Sequence, residues 1–341
     1  MPSLWSALAP LKVRIDDVGV QRRELQVSSE FTRVTSTVVL HGGEVEGQGE
    51  DVTYTAEDHA DFPADEMLAG TWTLDEYSRR LDELVLWADE PRMDASRDYR
   101  RWAFESAALD LALQQAGLSL ADAVGRPYRP VRFVASTRAK IDAYLELNPE
   151  LEFKLDVEKD WDRALMERLA ATDRVRVLDL KAYYRGTAVD LEPDPALYRA
   201  VVECFPNVVL EDPWLEGECR AALRGAEERL SFDAPIHSWG EVGKLPVEPR
   251  WLNIKPSRFG PLHELFAAYD YCDENGIGAY GGGQWELGVG RGQIQVLASL
   301  FHPDTPNDTA PRGYNEAEPP PGLPASPLEP QLAPTGFRWA G

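Results

Sequence analysis

The chain has 341 residues, 43% of them apolar, and a formal net charge of −23. That is ample for a large core in one or two domains, while a surface this acidic excludes nucleic acid, which needs a basic footprint, and an anionic membrane. The three cysteines, Cys204, Cys219 and Cys272, are scattered and odd in number, so they imply no disulfide framework or zinc ligand set, and a reduced, cytoplasmic setting is expected.

The opening MPSLWSALAPLKVRIDD lacks a basic n-region and is broken by Pro10, so it does not read as a signal peptide. No apolar run reaches the roughly 18 residues of a membrane span. Residues 11 to about 60 predict β-structure: KVRIDDVGV and TRVTSTVVLHGG carry β-branched alternation, and Gly42-Gly43 marks a turn. Residues 70 to 125 predict helices. Thr73 caps the amphipathic DEYSRRLDELVLWA, and FESAALDLALQQAG ends at a Gly117 stop. Strands followed by helices define an α+β domain over residues 1–127.

After the proline-flanked link PYRPVRF, strands alternate with helices such as PDPALYRAVVECF and PLHELFAAYDYCDENG. Most of the strand runs are apolar and β-branched, as parallel strands buried on both faces should be. From Pro303 the composition shifts to proline, glycine and acid; residues 303–341 are expected to wrap irregularly over the body or to be partly disordered.

Each strand ends in a group able to do chemistry. RVRVLDLK ends near Asp179 and Lys181, VVLEDP at Glu211 and Asp212, LSFDAP at Asp233, and WLNIKPSR at Lys255. In a barrel, strand ends of one polarity meet at one mouth. Three carboxylates there would repel unless a cation sat among them, and oxygen-only ligands suit Mg²⁺, with Mn²⁺ an alternative. Asp179, Glu211 and Asp233 are therefore the candidate ligands. Lys255 is placed to remove a proton beside a metal-bound carboxylate or to stabilise the enolate.

These spaced motifs, with FKLDVEKDWD before them and GGGQWELGVGRGQIQVLASL after, resemble the enolase superfamily, and most closely its muconate-lactonising subgroup near o-succinylbenzoate synthase. The resemblance implies an α/β fold: a (β/α)7β TIM-type barrel over residues 128–302 beneath the capping domain. It also implies an early cap loop that touches substrate; the matching stretch VSSEFTRVT offers Ser28, Ser29, Phe31 and Thr32. Glu286 matches the family's seventh-strand acid. Beside it, Gly281, Gly282 and Gly283 would let backbone approach a ligand, a helix-start anion nest is available, and Gln284 and Trp285 are candidate pocket residues.

The chain departs from the pattern twice. Where the family carries lysine, one residue, lysine on the second strand, this chain has Lys154-Leu155-Asp156. Where it carries aspartate, one residue, asparagine on the third, this chain has Asp179-Leu180-Lys181. Residues two apart share a face, so a lysine lost on one strand is regained on the next. Two compatible readings follow: Asp156 and Lys181 form a salt bridge, or Lys181 supplies the missing cation near substrate. Asp156 itself, with an ordinary pKa of about 3.9, is a weak base. His237 reads as a polar rim residue, Asp212 as a hydrogen-bonding neighbour of the site, and Arg258 as the partner of an acid or a substrate carboxylate.

The expected function is Mg²⁺-dependent removal of the proton next to a carboxylate, through an enolate, with one-sided β-elimination or dehydration preferred. Lys154, Asp156, Lys181 and Lys255 are the catalytic candidates, and Phe31, Gly282, Gly283, Gln284 and Glu286 the substrate-binding ones. A racemase, epimerase or cycloisomerase of the same subgroup, or a non-catalytic metal- and carboxylate-binding relative, are the alternatives. The expected partner is a small carboxylate, and assembly into a homo-oligomer is left open.

Overall fold

A computed structural model of the chain describes residues 3–29, 31–63, 67–186, 189–316 and 319–339. The N-terminal part opens with a short helix, Leu4–Leu8, then β1 (Lys12–Ile15), followed by an antiparallel meander of β2 (Asp17–Gln26), β3 (Thr32–Gly42) and β4 (Val45–Asp51). β5 (Gly70–Thr73) returns to pair antiparallel with β1. The β3–β4 turn sits at Gly43, whose φ of 67° is the left-handed conformation that glycine adopts without cost.

The helix Ala95–Ala116 packs across this sheet and stops where Gly117 takes φ 69°. Its approach to β4 is unusually close. A Cβ on Gly47 would lie 2.1 Å from the Ala107 carbonyl oxygen, and one on Gly49 would lie 2.0 Å from that of Ala103. The two glycines lie two apart on one strand face, so together they let strand backbone rest on helix backbone.

Thr73 and Glu76 form the expected capping box, but the helix they start runs only from Leu74 to Asp82. The expected continuation to Ala88 is overridden by Arg100, a buried cation that binds the Leu86 carbonyl at 3.0 Å and lies 3.5 Å over the Trp87 ring.

The C-terminal part is a seven-stranded sheet: β6 (Val134–Thr137), β7 (Glu152–Asp156), β8 (Val175–Asp179), β9 (Val209–Glu211), β10 (Leu230–Phe232), β11 (Trp251–Ile254) and β12 (Gly278–Gly281). Each is hydrogen-bonded, in parallel, to its neighbours in sequence order, with helices between most of them. The sheet's two edges meet at one short segment, through parallel bridges from Phe133 to Asn307 and from Gly282 to Asp308. This eighth stave lies beyond residue 302, inside the stretch expected to wrap irregularly.

Asn307 does the work of a strand with its side chain. Its amide donates to the carbonyls of Arg132, His302 and Thr305, each at 2.9 Å, and its oxygen accepts from Gly281 N at 2.7 Å. The remaining tail packs on the body: Leu328 bridges to Val131, and Phe337 is fully buried edge-on to Trp102. No helix among the described residues is long and apolar enough to cross a membrane.

Candidate active site

Because the sheet is parallel, the strand ends named above converge. A cavity of about 550 Å³ opens there, lined from the barrel by Lys154, Asp156, Lys181, Lys255, Gly283 and Gln284 and from the cap by Tyr54, Met93 and Tyr99. Asp179, Glu211 and Asp233 are buried behind this lining.

Charges alternate through the cluster. Lys154 Nζ is ion-paired to Glu211, 3.6 Å from Asp179 and 3.9 Å from Asp308. Lys181 Nζ lies 2.6 Å from Asp179 and 3.1 Å from Asp156. Lys255 Nζ lies 2.9 Å from Asp233 Oδ2, and Arg258 lies 3.4 Å from Asp233 Oδ1. Tyr184 donates to Asp233 at 3.1 Å and accepts from Arg258 at 2.9 Å. Glu211 also accepts from the Tyr280 hydroxyl and, at 3.1 Å, from Asn253.

These contacts set the ionisation of the acids. Burial opposes charge on Asp179, but Lys181 and Lys154 outweigh it and hold the carboxyl at about 2. Burial and the neighbouring acids push Glu211 up to about 8 despite Lys154. Burial and the charge of Asp233 push Asp212 up to about 7. For Lys181 the order reverses: burial would lower its pKa, but Asp179 and Asp156 raise it well above the usual lysine range. Lys181 is a fixed cation.

The first reading of the lysine exchange is met in the structure. Lys181 is salt-bridged to Asp156, and both residues face the cavity. Lys181 reaches inward because its own φ is 52°, a turn that brings its backbone N–H to within 3.0 Å of Asp179 Oδ1.

The oxygens that lie within 4.8 Å of one another belong to Asp179, Glu211 and Asp212, with Asp212 where Asp233 was expected. Both Asp212 oxygens already accept backbone N–H groups, from Asp233 at 2.8 Å and Ala234 at 2.9 Å, so they template the end of β10. Asp233 is turned toward Lys255 and Arg258, and its Oδ1 is a buried oxygen without a hydrogen-bond donor, as is Asn253 Oδ1. An oxygen-only donor set this acidic, with unsatisfied oxygens at its edge, fits a hard divalent cation.

Several expected ligand contacts are instead internal. A Cβ on Gly282 would meet Asn253 Oδ1 at 2.7 Å and Lys255 Cε at 2.9 Å, and one on Gly283 would meet Glu286 at 2.4 Å. The glycine cluster therefore makes room for the protein's own side chains, although Gly283 also lines the cavity. Glu286 does not line the cavity; it binds Gln284 N at 2.6 Å and Arg291 at 3.2 Å. Phe31 also stands off the cavity, with its ring 6.1 Å from that of Trp285, which does line it. Of its loop, Ser28 accepts from Phe31 N at 3.1 Å and Thr32 donates to Gln26 at 2.8 Å. The anion nest at the start of helix Gly290–Phe301 is filled by Glu50 of the cap, which accepts from the backbone N–H groups of Leu287, Gly288 and Gly290. His237 is a rim residue that binds Asp98 of the cap helix at 3.1 Å.

Tyr184, Tyr280, Asn253, Asp308 and Arg291 were not singled out as site residues. Asn253 was legible, two residues before Lys255 and so on its face. Asp308 carried no signal, because only barrel closure brings it near Lys154.

Two family models cover the chain: the N-terminal domain of "Domain of unknown function (DUF8230)" over residues 6–123 and its C-terminal domain over residues 127–316. The chain belongs to this family. It is similar to o-succinylbenzoate synthase of Bacillus subtilis (strain 168), 42% identical over 219 residues, covering 60% of this chain and 57% of that protein. It is similar over a longer stretch to the Geobacillus stearothermophilus o-succinylbenzoate synthase, 24% identical over 332 residues, or 88% and 85% of the two chains. An N-succinylamino acid racemase of Amycolatopsis sp is 29% identical over 174 residues; the match spans 47% of this chain and 44% of the racemase.

Among solved structures, a dipeptide epimerase from Methylococcus capsulatus complexed with Mg ion superposes with a TM-score of 0.65 at 19% identity, over 86% of this chain and 89% of that one. A muconate lactonizing enzyme superposes with a TM-score of 0.60 at 18% identity, over 87% and 88%. These structures share the fold, an N-terminal cap on a TIM-type barrel. The chain resembles the muconate-lactonising subgroup of the enolase superfamily, near o-succinylbenzoate synthase.

Proposed function

We propose that this protein is a Mg²⁺-dependent enzyme of the enolase superfamily, built on a (β/α)7β barrel, that removes the proton next to a substrate carboxylate and completes a one-sided β-elimination like that of o-succinylbenzoate synthase. The observation that carries the proposal is the pairing of two unlike lysines in one cavity. Lys255 follows β11 and Lys181 follows β8, three staves away, and both line the same space.

The proposed roles follow from the contacts. Asp179 and Glu211 would hold the ion, Mg²⁺ or Mn²⁺, with Asp233 contributing only its undonated Oδ1, and the ion would supply positive charge beside the substrate carboxylate. Lys255 takes the proton, and Asp233 at 2.9 Å orients its amine. Lys154 fixes Glu211. Lys181, doubly paired and permanently charged, binds a substrate oxygen and is not a base. Epimerisation needs a base on each face of the carbon, and Asp156 replaces the lysine that would serve on the second strand; this favours elimination. Gln284 and Gly283 shape the substrate end of the cavity. Glu286 and Phe31 act one residue back, through Gln284 and Trp285.

The racemase among the relatives keeps inversion as the second reading. The test is incubation in D₂O with Mg²⁺ and a panel of carboxylates that includes N-succinylamino acids. Deuterium entering next to the carboxylate, and lost in Lys255→Ala, supports proton abstraction. Inversion of a chiral substrate would select the racemase reading, and metal binding without any exchange would select the non-catalytic one.

A further inference from the structure

Among the described residues, Arg33 and Glu50 are opposite charges of the cap that are buried without a side-chain ion pair, and both reach one barrel loop. Arg33 on β3 is fully buried. Its guanidinium donates to carbonyls of the cap, Val34 at 2.9 Å, Val52 at 2.7 Å and Thr53 at 2.7 Å, and to two of the loop after β12, Gln284 at 2.8 Å and Trp285 at 3.2 Å. Glu50 on β4 is also fully buried, and its carboxylate accepts from Leu287 N at 2.7 Å and from Gly288 N and Gly290 N at 2.8 Å each. Carbonyl dipoles thus neutralise the cation at the front of the loop, and the positive end of the following helix neutralises the anion at its back.

Between these anchors Trp285 sits at φ 58°, a conformation costly for a bulky residue and kept only where surrounding contacts enforce it. Both its carbonyl and that of Gln284 are held by Arg33. Gln284 receives a second cap contact from the Tyr54 hydroxyl at 3.1 Å, and Arg33 lies 4.3 Å over the Tyr54 ring. Gly290 admits the arrangement: a Cβ there would meet Glu50 Oε2 at 2.9 Å. Gln284 and Trp285 form one wall of the cavity.

We propose that Arg33 and Glu50 are positioning residues that set substrate specificity: they hold the Gln284–Trp285 wall in its strained shape from the cap side. This deepens the proposed function and rests on it only for the identity of the ligand. Cap and wall form one unit, so the cap selects substrate through barrel side chains.

The experiment has two arms on the full-length protein with Mg²⁺. In hydrogen-exchange mass spectrometry, Glu50→Gln and Arg33→Lys should speed amide exchange across residues 284–290 by roughly tenfold or more, as expected for losing a hydrogen bond to a charged group, while β8 to β10 keep their protection. In the deuterium-incorporation assay with an N-succinylamino acid, both variants should raise KM about tenfold with a smaller change in kcat, the sign of lost ground-state positioning. Unchanged protection of residues 284–290 in both variants would overturn the proposal. So would loss of protection throughout cap and barrel, or failure of the isosteric Glu50→Gln to fold, since the pair would then serve general stability. If the unaltered protein incorporates no deuterium, the proposed function fails, and the amide-exchange arm still decides whether Arg33 and Glu50 hold the wall.

Discussion

Lys181 shows how one residue's backbone decides its chemistry. With φ at 52° it pays conformational strain of roughly 1–3 kcal/mol, which the bonds to Asp179 at 3.0 and 2.6 Å offset. Lys181→Met should leave Asp156 without its cation and lower deuterium incorporation by about 10–100-fold, measured at saturating Mg²⁺. The double change Asp156→Lys with Lys181→Asn restores the superfamily spacing and should bring inversion of a chiral substrate, read by polarimetry.

The acids give a pH prediction for metal-free protein. Glu211 is raised from 4.5 to about 8 in the folded state, so its contribution to stability is full below pH 4.5 and is lost as pH rises to about 8. Asp179 is depressed from 3.8 to about 2, so its contribution is present above pH 3.8 and is lost as pH falls through 2. With a chelator, the thermal midpoint should therefore fall between pH 4.5 and 8. Mg²⁺ should flatten that fall, because an ion bound only by the folded state adds stability and favours the charged carboxylates. A midpoint that ignores Mg²⁺ across this range would count against the metal site.

At the scale of elements, the barrel closes on a side chain. Asn307 joins four backbone groups of three segments where a full strand would use its ladder. Asn307→Ala leaves Gly281 N without its acceptor, whereas the three carbonyls keep other donors, so a cost of about 1–3 kcal/mol in urea unfolding is expected, most of which Asn307→Asp should restore because it keeps the acceptor. The close contact of β4 with helix Ala95–Ala116 makes an opposite kind of prediction. Gly49→Ala adds one methyl, yet it would press on the Ala103 carbonyl, so about 3 kcal/mol of destabilisation is expected by the same measurement.

Across the whole molecule, cap and barrel are tied at separated points: Arg33 and Glu50 to the loop after β12, Asp98 to His237, and the C-terminal segment back to the cap helix, where Asp110 accepts from Phe337 N at 2.8 Å. Chemical unfolding should accordingly be one transition, with circular dichroism and tryptophan fluorescence giving the same midpoint. Two separated midpoints would mean that the ties are too weak to couple the parts.

Strand ends and helix caps were legible in the amino-acid order because each depends on neighbours two to four residues away, and the lysine exchange was legible against the family's pattern on two successive strands. Alternation placed Asp156 and Lys181 on faces that meet, and the Thr73 capping box is complete within four residues. The division of labour around the site was not legible. That Glu50 fills the nest and that Asp308 approaches Lys154 are contacts between residues more than a hundred positions apart. Local periodicity carries no record of which buried charge will find which partner. Only closure of the sheet and docking of the cap bring those groups within reach, and desolvation then forces each to take the nearest complementary dipole or ion.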